Sequence, residues 1–242
     1  MRCMISQPTF LPWLGWFDLA DLSDQVILLD NVQFDKRSWQ QRNQIRTPKG
    51  LELITVPVRS SGRYKQLIFE VQIADPMFGS RFLRTVRANY SRAPFFVPVM
   101  KELESIVPEL VQSEKLVDLN RGLICFLAEW LGIKVPMRCS SELDVNGKRG
   151  EHLAKICDAT YCSEYLSTAG AERYLINDME HFSSRGISVL LHEYYHPEYT
   201  QLHSPFIPHA SALDLIMMEG KNAGSVMRST RKQLRSLSEE GK

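Results

Sequence analysis

Residues 191–201, LHEYYHPEYTQ, contain the spacing in this sequence that most directly suggests chemistry. The segment His192-Glu193-Tyr194-Tyr195-His196 has the H-E-x-x-H pattern, with which zinc proteases place two histidines and a glutamate on one helical turn. The preceding GISVLL predicts a β-strand instead, and Pro197 disfavours helical conformation at His196. In an extended strand the two histidines would lie about 13 Å apart, too far to share one zinc ion. We therefore predict no metal site here.

The same segment offers a general base. The ordinary pKa of histidine lies near neutrality, so His196 is suited to accept the proton of a sugar hydroxyl or amine during an acyl transfer. Alternatively, His196 anchors the loop through backbone groups. Asp30, which ends the apolar run QVILLD, is the second catalytic candidate, as a base or as a ligand for a hydroxyl or amine. Its alternative role is to cap a turn.

Hydrophobic periodicity predicts the elements that position these side chains. The N-terminal RCMIS and the run QVILLD predict strands on either side of a helix in LGWFDLADL, which together form a βαβ unit. QIRTPKGLELITVPV predicts a β-hairpin around TPKG, and YKQLIFEVQI predicts a further strand. Helical patterns then extend from Pro76 to about Gly132.

The C-terminal part alternates again between strand and helix. Strands are predicted at KVPMRCS, EYLST and ISVLLHEY, and helices at EHLAKICDAT, AERYLIND and SALDLIMMEG, the last with Ser211 as its N-cap. The tail MRSTRKQLRSLSEEGK is predicted to be polar and frayed. We therefore expect one α/β domain over residues 1–242, with a predominantly parallel Rossmann-like sheet, a β-hairpin and a mainly helical insertion at about 76–132.

Composition narrows the class of protein. The chain has 242 residues, a net charge of +1, and 44% hydrophobic and 24% charged residues, as expected for a globular domain without a general affinity for nucleic acid. No apolar run is long enough to cross a membrane, and the N-terminal residues lack the pattern of a signal peptide. The five cysteines are odd in number and form no C-x-x-C pair. We expect reduced thiols, a cytoplasmic location and no stable membrane insertion.

Three polar and aromatic stretches follow predicted strands. They are SQPTFLPWLGW, DNVQFDKRSWQQRNQI and HPEYTQ. Ligands of open α/β sheets bind beyond the carboxyl ends of the strands, so we expect these stretches to converge there. Aromatic walls with amide and hydroxyl groups suit a small polar organic ligand.

These stretches, together with YLSTAGAERYL and SALDL, resemble the WbqC family over nearly the whole chain. The residues that carry the resemblance are Gln7, Pro8, Pro12, Gly15, Asp30, Gln33, Lys36, Trp39, Arg42, Asn43, Gly170, Tyr174, His196, Pro197, Tyr199, Gln201 and Asp214. The resemblance implies a bacterial protein often encoded among O-antigen or other surface-polysaccharide genes, and a glycine transferase that acylates a sugar. Trp16 stands where a tyrosine is common, which keeps an aromatic face.

The candidate substrate-binding residues follow from this resemblance and from the expected position of the loops. They are Gln7, Pro12, Gly15, Trp16, Gln33, Lys36, Arg42, Asn43, Gly170, Tyr174, Tyr199 and Gln201. Lys36 and Arg42 would hold a phosphate or carboxylate, or alternatively form a solvated surface. Tyr199 and Gln201 would contact substrate or brace their loop, and Asp214 would orient His196 or favour the first turn of its helix.

A weaker resemblance suggests a second function. TFLPWLGWFDLADLSDQVILL resembles the first βαβ of HIGH-type nucleotidyltransferases, but Trp13-Leu14-Gly15-Trp16 lacks both histidines of F-x-P-x-H-x-G-H. RSTRK, residues 228–232, distantly resembles their C-terminal phosphate-binding motif. The leading hypothesis is therefore acyl or aminoacyl transfer, such as transfer of glycine, to a sugar intermediate. The candidate cofactor is ATP or an activated acyl donor, and the candidate substrate is a nucleotide sugar. The alternatives are an ATP-dependent adenylate-forming enzyme and a non-catalytic ligand-binding or scaffold protein. No feature indicates the oligomeric state.

Overall fold

The computed structural model describes residues 1–237 of the chain; residues 238–242, the end of the tail predicted to be frayed, lie outside the described part. The strands are β1 (Arg2–Ser6), β2 (Gln25–Leu28), β3 (Arg42–Thr47), β4 (Gly50–Thr55), β5 (Met137–Cys139), β6 (Glu164–Thr168), β7 (Ser188–His192) and β8 (Arg235–Leu237). The helices are α1 (Leu14–Asp21), α2 (Phe78–Tyr90), α3 (Phe96–Gln112), α4 (Leu116–Trp130), α5 (Arg149–Ala159), α6 (Glu172–Ser183), α7 (Ala212–Glu219) and α8 (Ala223–Arg228).

The central sheet has six strands in the order β5-β2-β1-β6-β7-β8. The first five of these strands are parallel, and β8 pairs antiparallel with β7. The chain moves outward from β1 to β2 and β5 on one side, then returns to β6 and β7 on the other. This is the Rossmann-like strand order, whose switch point lies between β1 and β6. The predicted predominantly parallel α/β sheet is confirmed.

Alternation along the strands explains why helices cover both faces of the sheet. In β1, Met4 packs into the cluster that contains α1, α4 and α7, whereas Cys3 and Ile5 pack into the cluster that contains α5 and α6. Successive side chains of a strand point to opposite faces, so an uninterrupted apolar strand requires cover on each side. The apolar run in β2 is buried in the same way, with Val26 and Leu28 on one face and Ile27 on the other.

The hairpin β3–β4 forms a separate two-stranded antiparallel sheet, as predicted. Its two-residue turn ends at Gly50, whose φ of 118° lies in a region that L side chains rarely adopt. Helices α2, α3 and α4 follow the hairpin and precede β5, so the structure has helices in the region predicted to be a helical insertion. Ser211 caps α7 by accepting a hydrogen bond from the Leu213 amide, also as predicted.

One predicted strand is absent. Residues 64–73 form a loop with a 3₁₀ turn at Ile68–Glu70. Ile68 and Val71 are buried, which explains the strand-like sequence pattern. Their backbone groups, however, bond to separate partners, with the Ile68 amide donating to Val32 O and the Leu116 amide donating to Val71 O. The strand prediction for YKQLIFEVQI is therefore wrong because the side chains are buried although the backbone forms no continuous ladder of hydrogen bonds with a neighbouring strand.

The tail, predicted to be frayed, is ordered up to residue 237 by ion pairs. Arg228 donates to both carboxylate oxygens of Asp21 at 2.7 Å, and Arg231 bonds to Asp18 Oδ1 and Asp21 Oδ2. His192 Nε2 lies 2.8 Å from Asp18 Oδ2. We call these five residues the acidic clamp. The two arginines of RSTRK thus bind the acidic side chains of α1. The resemblance of RSTRK to a phosphate-binding motif did not predict this contact.

None of the helices in residues 1–237 combines the length and apolar character that crossing a membrane requires.

Candidate functional site

A cleft opens at the switch point, beyond the carboxyl ends of β1 and β6. It has a volume of about 340 Å³. Its polar lining consists of hydroxyl and amide groups rather than charges. The lining residues are Ile5, Ser6, Gln7, Thr9, Leu19, Leu29, Ser38, Trp39, Gln40, Leu153, Tyr165, Ser167, Thr168 and Tyr174. We call this the switch-point cleft, and it lies where open α/β sheets bind their ligands.

A second cavity, of about 350 Å³, adjoins the switch-point cleft. Three indoles dominate it, and Thr9 and Trp39 line both spaces. We call it the tryptophan cavity. Its lining residues are Thr9, Pro12, Trp13, Trp16, Trp39, Asn43, Gln44 and His209.

A third cavity, of about 330 Å³, continues the cleft on its other side and shares Leu29, Leu153 and Tyr174 with it. Arg149, at the start of α5, and Asp178 give this end charged groups, and His152 also lines it. Burial lowers the pKa of His152, which favours its neutral form. The three cavities, which we call the groove, run from a charged end through a hydroxyl-rich middle to an aromatic end.

The three stretches predicted to converge do meet. The Phe10 amide donates to Trp39 O at 2.9 Å, so the loop after β1 touches the loop after β2. The Ala212 amide donates to Pro12 O at 2.9 Å, and the Ser211 amide donates to Gln44 O at 2.8 Å. These two bonds attach the start of α7, ten residues beyond HPEYTQ, to both other stretches. HPEYTQ itself contacts the first stretch through the stacking of the His196 ring against Trp13.

Gly15 holds one wall of the groove in place. A Cβ at this position would lie 2.5 Å from Cη2 and Cζ2 of the Trp13 indole, so only glycine permits their close approach. Tyr194 and His209 pack against the Trp13 ring with centroids 5.5 and 5.3 Å away, so a displaced ring would move into the cavity that it lines. The sequence suggested close backbone approach at Gly15, and here the approaching group is a side chain of the cavity wall.

We expect Gly15→Ala to displace Trp13 and to destabilise the fold. Overpacking costs about 1–3 kcal/mol, which exceeds the gain of up to about 1 kcal/mol from alanine in a helix. Urea unfolding measures the change, and the indole N–H resonance of Trp13 reports its displacement. Gly170→Ala is the matched control, because a Cβ there would lie 3.9 Å from Thr168 Oγ1, an ordinary contact. An unshifted Trp13 resonance in Gly15→Ala would contradict this account.

Five of the predicted substrate-binding residues line the groove: Gln7, Pro12, Trp16, Asn43 and Tyr174. Gln7 is exposed and its Oε1 accepts a hydrogen bond of 2.9 Å from Gln40 Nε2. Asn43 donates to Phe10 O at 3.1 Å, and Trp16 Nε1 donates to Ser6 Oγ at 3.0 Å. Burial raises the pKa of Tyr174, so its phenol carries its proton at neutral pH.

Two predicted binding residues point into a buried polar network instead. The Tyr199 hydroxyl and Gln201 Nε2 both donate to Asp214 Oδ2, at 2.8 and 3.0 Å, and the Tyr90 hydroxyl donates to Oδ1 at 2.9 Å. Gln201 Oε1 also accepts from the buried Arg46, whose guanidinium holds the carbonyls of residues 203 and 205. In this arrangement Tyr199 and Gln201 brace their loop, and Asp214 contacts them rather than His196.

The remaining predicted binding residues lie on the outer surface of the loops. Gln33, Lys36 and Gly170 are exposed, and Arg42 is half-buried at the start of β3. The Gln33 side chain donates to Tyr64 O at 3.0 Å. Lys36 and Arg42 are therefore available to an anionic part of a ligand only from outside the groove.

Asp30 connects two strand-end loops. It is buried, and its Oδ1 accepts from the Ser140 hydroxyl at 3.0 Å and the Ser141 amide at 2.8 Å. Its Oδ2 accepts from the Ser141 hydroxyl at 2.7 Å. These bonds correspond to the capping alternative for Asp30, because they fasten the end of β2 to the turn that follows β5.

His196 lies one layer behind the tryptophan cavity. Its Nδ1 is 2.9 Å from Pro197 O, and its Nε2 is buried without a partner among the described residues. The ring is stacked against Trp13 and meets His209, which lines the cavity, edge-on at 5.4 Å between centroids. Burial lowers the pKa of His196, which favours the neutral form that accepts a proton.

Several groove residues were not selected from the sequence. They are Thr9, Ser38, Trp39, Gln40, Arg149, His152, Ser167, Thr168 and His209. Trp39 is among the residues that carry the family resemblance. The hydroxyl residues carry no sequence signal of their own, but Ser167 and Thr168 end β6, and the position of the switch point would have identified them.

Metal ligands are not grouped in the part of the chain that the structure describes: residues 1–237 contain no set of three or more His, Cys, Asp or Glu side chains placed to hold an ion. The H-E-x-x-H segment is not helical, because β7 ends at His192 and no regular element follows before Pro197. Its two histidines have separate environments, the acidic clamp for His192 and the wall of aromatic rings for His196.

The strand order and the groove define an α/β protein of Rossmann-like topology with a cleft at its switch point. Comparison with families matches the model of the WbqC-like protein family over residues 7–226, and the chain belongs to this family. It is 34% identical over 228 residues to the uncharacterized protein Rv1507c of Mycobacterium tuberculosis, covering 94% of this chain and 97% of that protein. No solved structure matches the chain.

Proposed function

We propose that this protein is a transferase of bacterial surface-polysaccharide (O-antigen) biosynthesis that moves a small acyl or aminoacyl group, such as glycine, to a sugar intermediate. The observation that carries the proposal is the meeting of two cavities at Thr9 and Trp39. A group transfer requires donor and acceptor to be held with their reacting atoms in contact, and adjoining compartments suit that requirement. Membership of the WbqC-like family supports the polysaccharide context.

The proposed step is nucleophilic acyl transfer. The oxygen of a sugar hydroxyl, or the nitrogen of a sugar amine, attacks the carbonyl carbon of an activated donor such as a thioester or an acyl-adenylate. A C–O or C–N bond forms, the bond from the carbonyl carbon to the leaving sulfur or phosphate oxygen breaks, and an imidazole takes the proton of the nucleophile. The imidazole then returns this proton to the leaving group.

His209 and His196 are the proposed proton acceptors. His209 lines the tryptophan cavity, and His196 lies behind it with an unpartnered Nε2. Asp30 has a positioning role in this scheme, since its oxygens already accept three hydrogen bonds. Arg149 inside the groove, with Lys36 and Arg42 outside it, would meet the anionic part of the donor. The five free thiols support the proposed cytoplasmic location.

Activity is expected to fall at least tenfold in His209→Ala and in His196→Ala, with folding intact. Because burial lowers the pKa of His196, its proton-accepting form persists to lower pH than in an ordinary histidine. The acid limb of kcat/KM should therefore lie below about pH 6.5. His181→Ala, on α6, is the control. Undiminished turnover in His196→Ala, or an acid limb above about pH 6.5, would remove His196 from the scheme.

The experiment that tests the function is a donor and acceptor screen with the full chain. Mixtures of glycyl thioester, glycine with ATP, and nucleotide sugars are incubated with the protein, and mass spectrometry detects an acylated sugar. The product should appear with one donor class and disappear in His209→Ala. Thermal stabilisation by a nucleotide sugar without product in any mixture would contradict the transferase and support a ligand-binding subunit.

The Rossmann-like strand order favours one second candidate, an ATP-dependent nucleotidyl or adenylate-forming enzyme. The N-termini of α1, α5 and α6 follow strands of the parallel sheet and therefore lie at its carboxyl edge, an arrangement that suits phosphate groups. Release of pyrophosphate from ATP, dependent on glycine or a sugar, would distinguish this function from transfer out of a preformed donor.

A further inference from the structure

The tryptophan cavity differs from the remainder of the groove in chemistry. Trp13, Trp16 and Trp39 give it flat apolar walls. Within residues 1–237, none of its lining side chains is an acid, a lysine or an arginine. Four polar side chains also line the cavity, those of Thr9, Asn43, Gln44 and His209, and the Asn43 amide is already hydrogen-bonded to backbone groups. Thr9 Oγ1 is buried and has no hydrogen-bond partner among the described residues.

We infer that the tryptophan cavity is the subsite for an uncharged pyranose ring, the sugar acceptor; this inference rests on the proposed function. A pyranose presents a face of C–H bonds and an edge of hydroxyls. The π-face of an indole carries negative charge density that attracts the C–H face. Hydroxyls at the ring edge require directional partners, which Gln44 and His209 would supply.

The uncharged lining of the tryptophan cavity favours a sugar over the charged ligands of a transferase. A phosphate or carboxylate in this cavity would lose its hydration without gaining a counter-charge, which is costly. The charged parts of a substrate are better placed near Arg149, at the opposite end of the groove. A nucleobase also stacks on indoles, so uridine is the competing ligand in the binding measurements. The uncharged lining favours a neutral sugar over an anionic ligand.

The position of the cavity also fits an acceptor. Thr9 and Trp39 form its boundary with the switch-point cleft, so a hydroxyl directed across that boundary would reach a donor held in the cleft. His209 lines the same cavity, as removal of the acceptor proton requires. Trp39 is 53% exposed, so its side chain stabilises the fold less than the buried Trp16 does.

Methyl pyranosides of glucose, galactose and N-acetylglucosamine are the probes, because they are uncharged and have no leaving group. Binding is measured by saturation-transfer NMR and calorimetry on the full chain, with uridine and inorganic phosphate for comparison. At least one pyranoside should bind in the millimolar range, more tightly than uridine or phosphate. Trp39→Ala should weaken this binding about tenfold or more, whereas Trp39→Phe should restore part of it.

Tyr161→Ala is the matched control, since Tyr161 is 89% exposed and follows α5 at the opposite edge of the sheet. Absence of pyranoside binding, equal binding by Trp39→Ala, or tighter binding of uridine at the same site would overturn the inference. The wild-type protein could catalyse acyl transfer while the Trp39→Ala variant binds the acceptor with unchanged affinity. That result would contradict the proposed subsite but not the proposed transferase function. Pyranoside binding that depends on Trp39, without transfer from any donor, would support the subsite and contradict the transferase.

Discussion

Replacing Asp214 with alanine is expected to lower the free energy of unfolding by about 3–5 kcal/mol. The carboxylate is completely buried and accepts hydrogen bonds from Tyr90, Tyr199 and Gln201. Burial raises the pKa of Asp214, whereas these three donors act in the opposite direction. Alanine would leave the Tyr90 and Tyr199 hydroxyls without an acceptor, whereas Gln201 Nε2 would keep its bond to Ile207 O. Such orphaned donors cost more than the bonds contribute. Urea unfolding at neutral pH measures the loss.

Two further variants make the Asp214 prediction specific. Asp118→Ala removes an exposed acid from the first turn of α4, and it should change stability by no more than about 1 kcal/mol. Tyr90→Phe keeps the buried ring and removes one donor, so its effect should be smaller than that of Asp214→Ala. A loss below about 1 kcal/mol in Asp214→Ala would show that the network does not hold the loop after β7.

Arg231→Met is expected to lower the free energy of unfolding by about 2–4 kcal/mol. Asp18 is fully buried, and Arg231 contacts its Oδ1 through Nε and Nη2 at 2.9 and 2.6 Å. Removal of the guanidinium leaves the Asp18 carboxylate with His192 as its nearby partner in the acidic clamp. Arg235→Met is the matched control, because Arg235 pairs with Glu172 on the exposed surface and should contribute at most about 1 kcal/mol.

The difference between wild type and Arg231→Met should also depend on pH. Burial alone would raise the pKa of Asp21, but the hydrogen bonds from Arg228 and Arg231 outweigh it and the pKa is lowered. A lowered carboxyl pKa contributes stability above the unfolded value of about 3.9, and this contribution is lost as the pH falls through the folded value. The stability difference should therefore shrink below about pH 4. A difference that grows with acidification would contradict the clamp.

The sequence predicted the fold correctly where the hydrophobic pattern within a segment is enough to identify the element. The apolar runs that became β1, β2, β6 and β7 are buried by adjacent helices, and a continuous apolar run of strand length suffices to identify them. Residues 64–73 show the limit of this reasoning, because their apolar side chains are buried without a strand partner. The tail shows a second limit. Arg231 looks like a solvated residue until its partner Asp18, 213 positions earlier, is known.

Residues of the candidate site could be predicted from the sequence only where a family motif or the residue type indicated them. Gln7, Asn43 and Tyr174 came from motif residues and line the groove. Gln201 is a motif residue as well, but the sequence alone does not distinguish a glutamine that contacts substrate from one that stabilises a loop. The distinction required Arg46, a hairpin residue 155 positions away that is buried against it. Whether these residues bind substrate stays a prediction.

The acidic clamp has a consequence for how the chain folds during synthesis. Asp18 lies on α1, and Arg231 is added 213 residues later. Until then, α1 carries a carboxylate that cannot be desolvated cheaply. Central strand β1 has β2 beside it early, but its second neighbour, β6, begins only at residue 164. We therefore expect the nascent chain to remain only partly compact until α8 and β8 emerge, with closure of the sheet as a late step of folding.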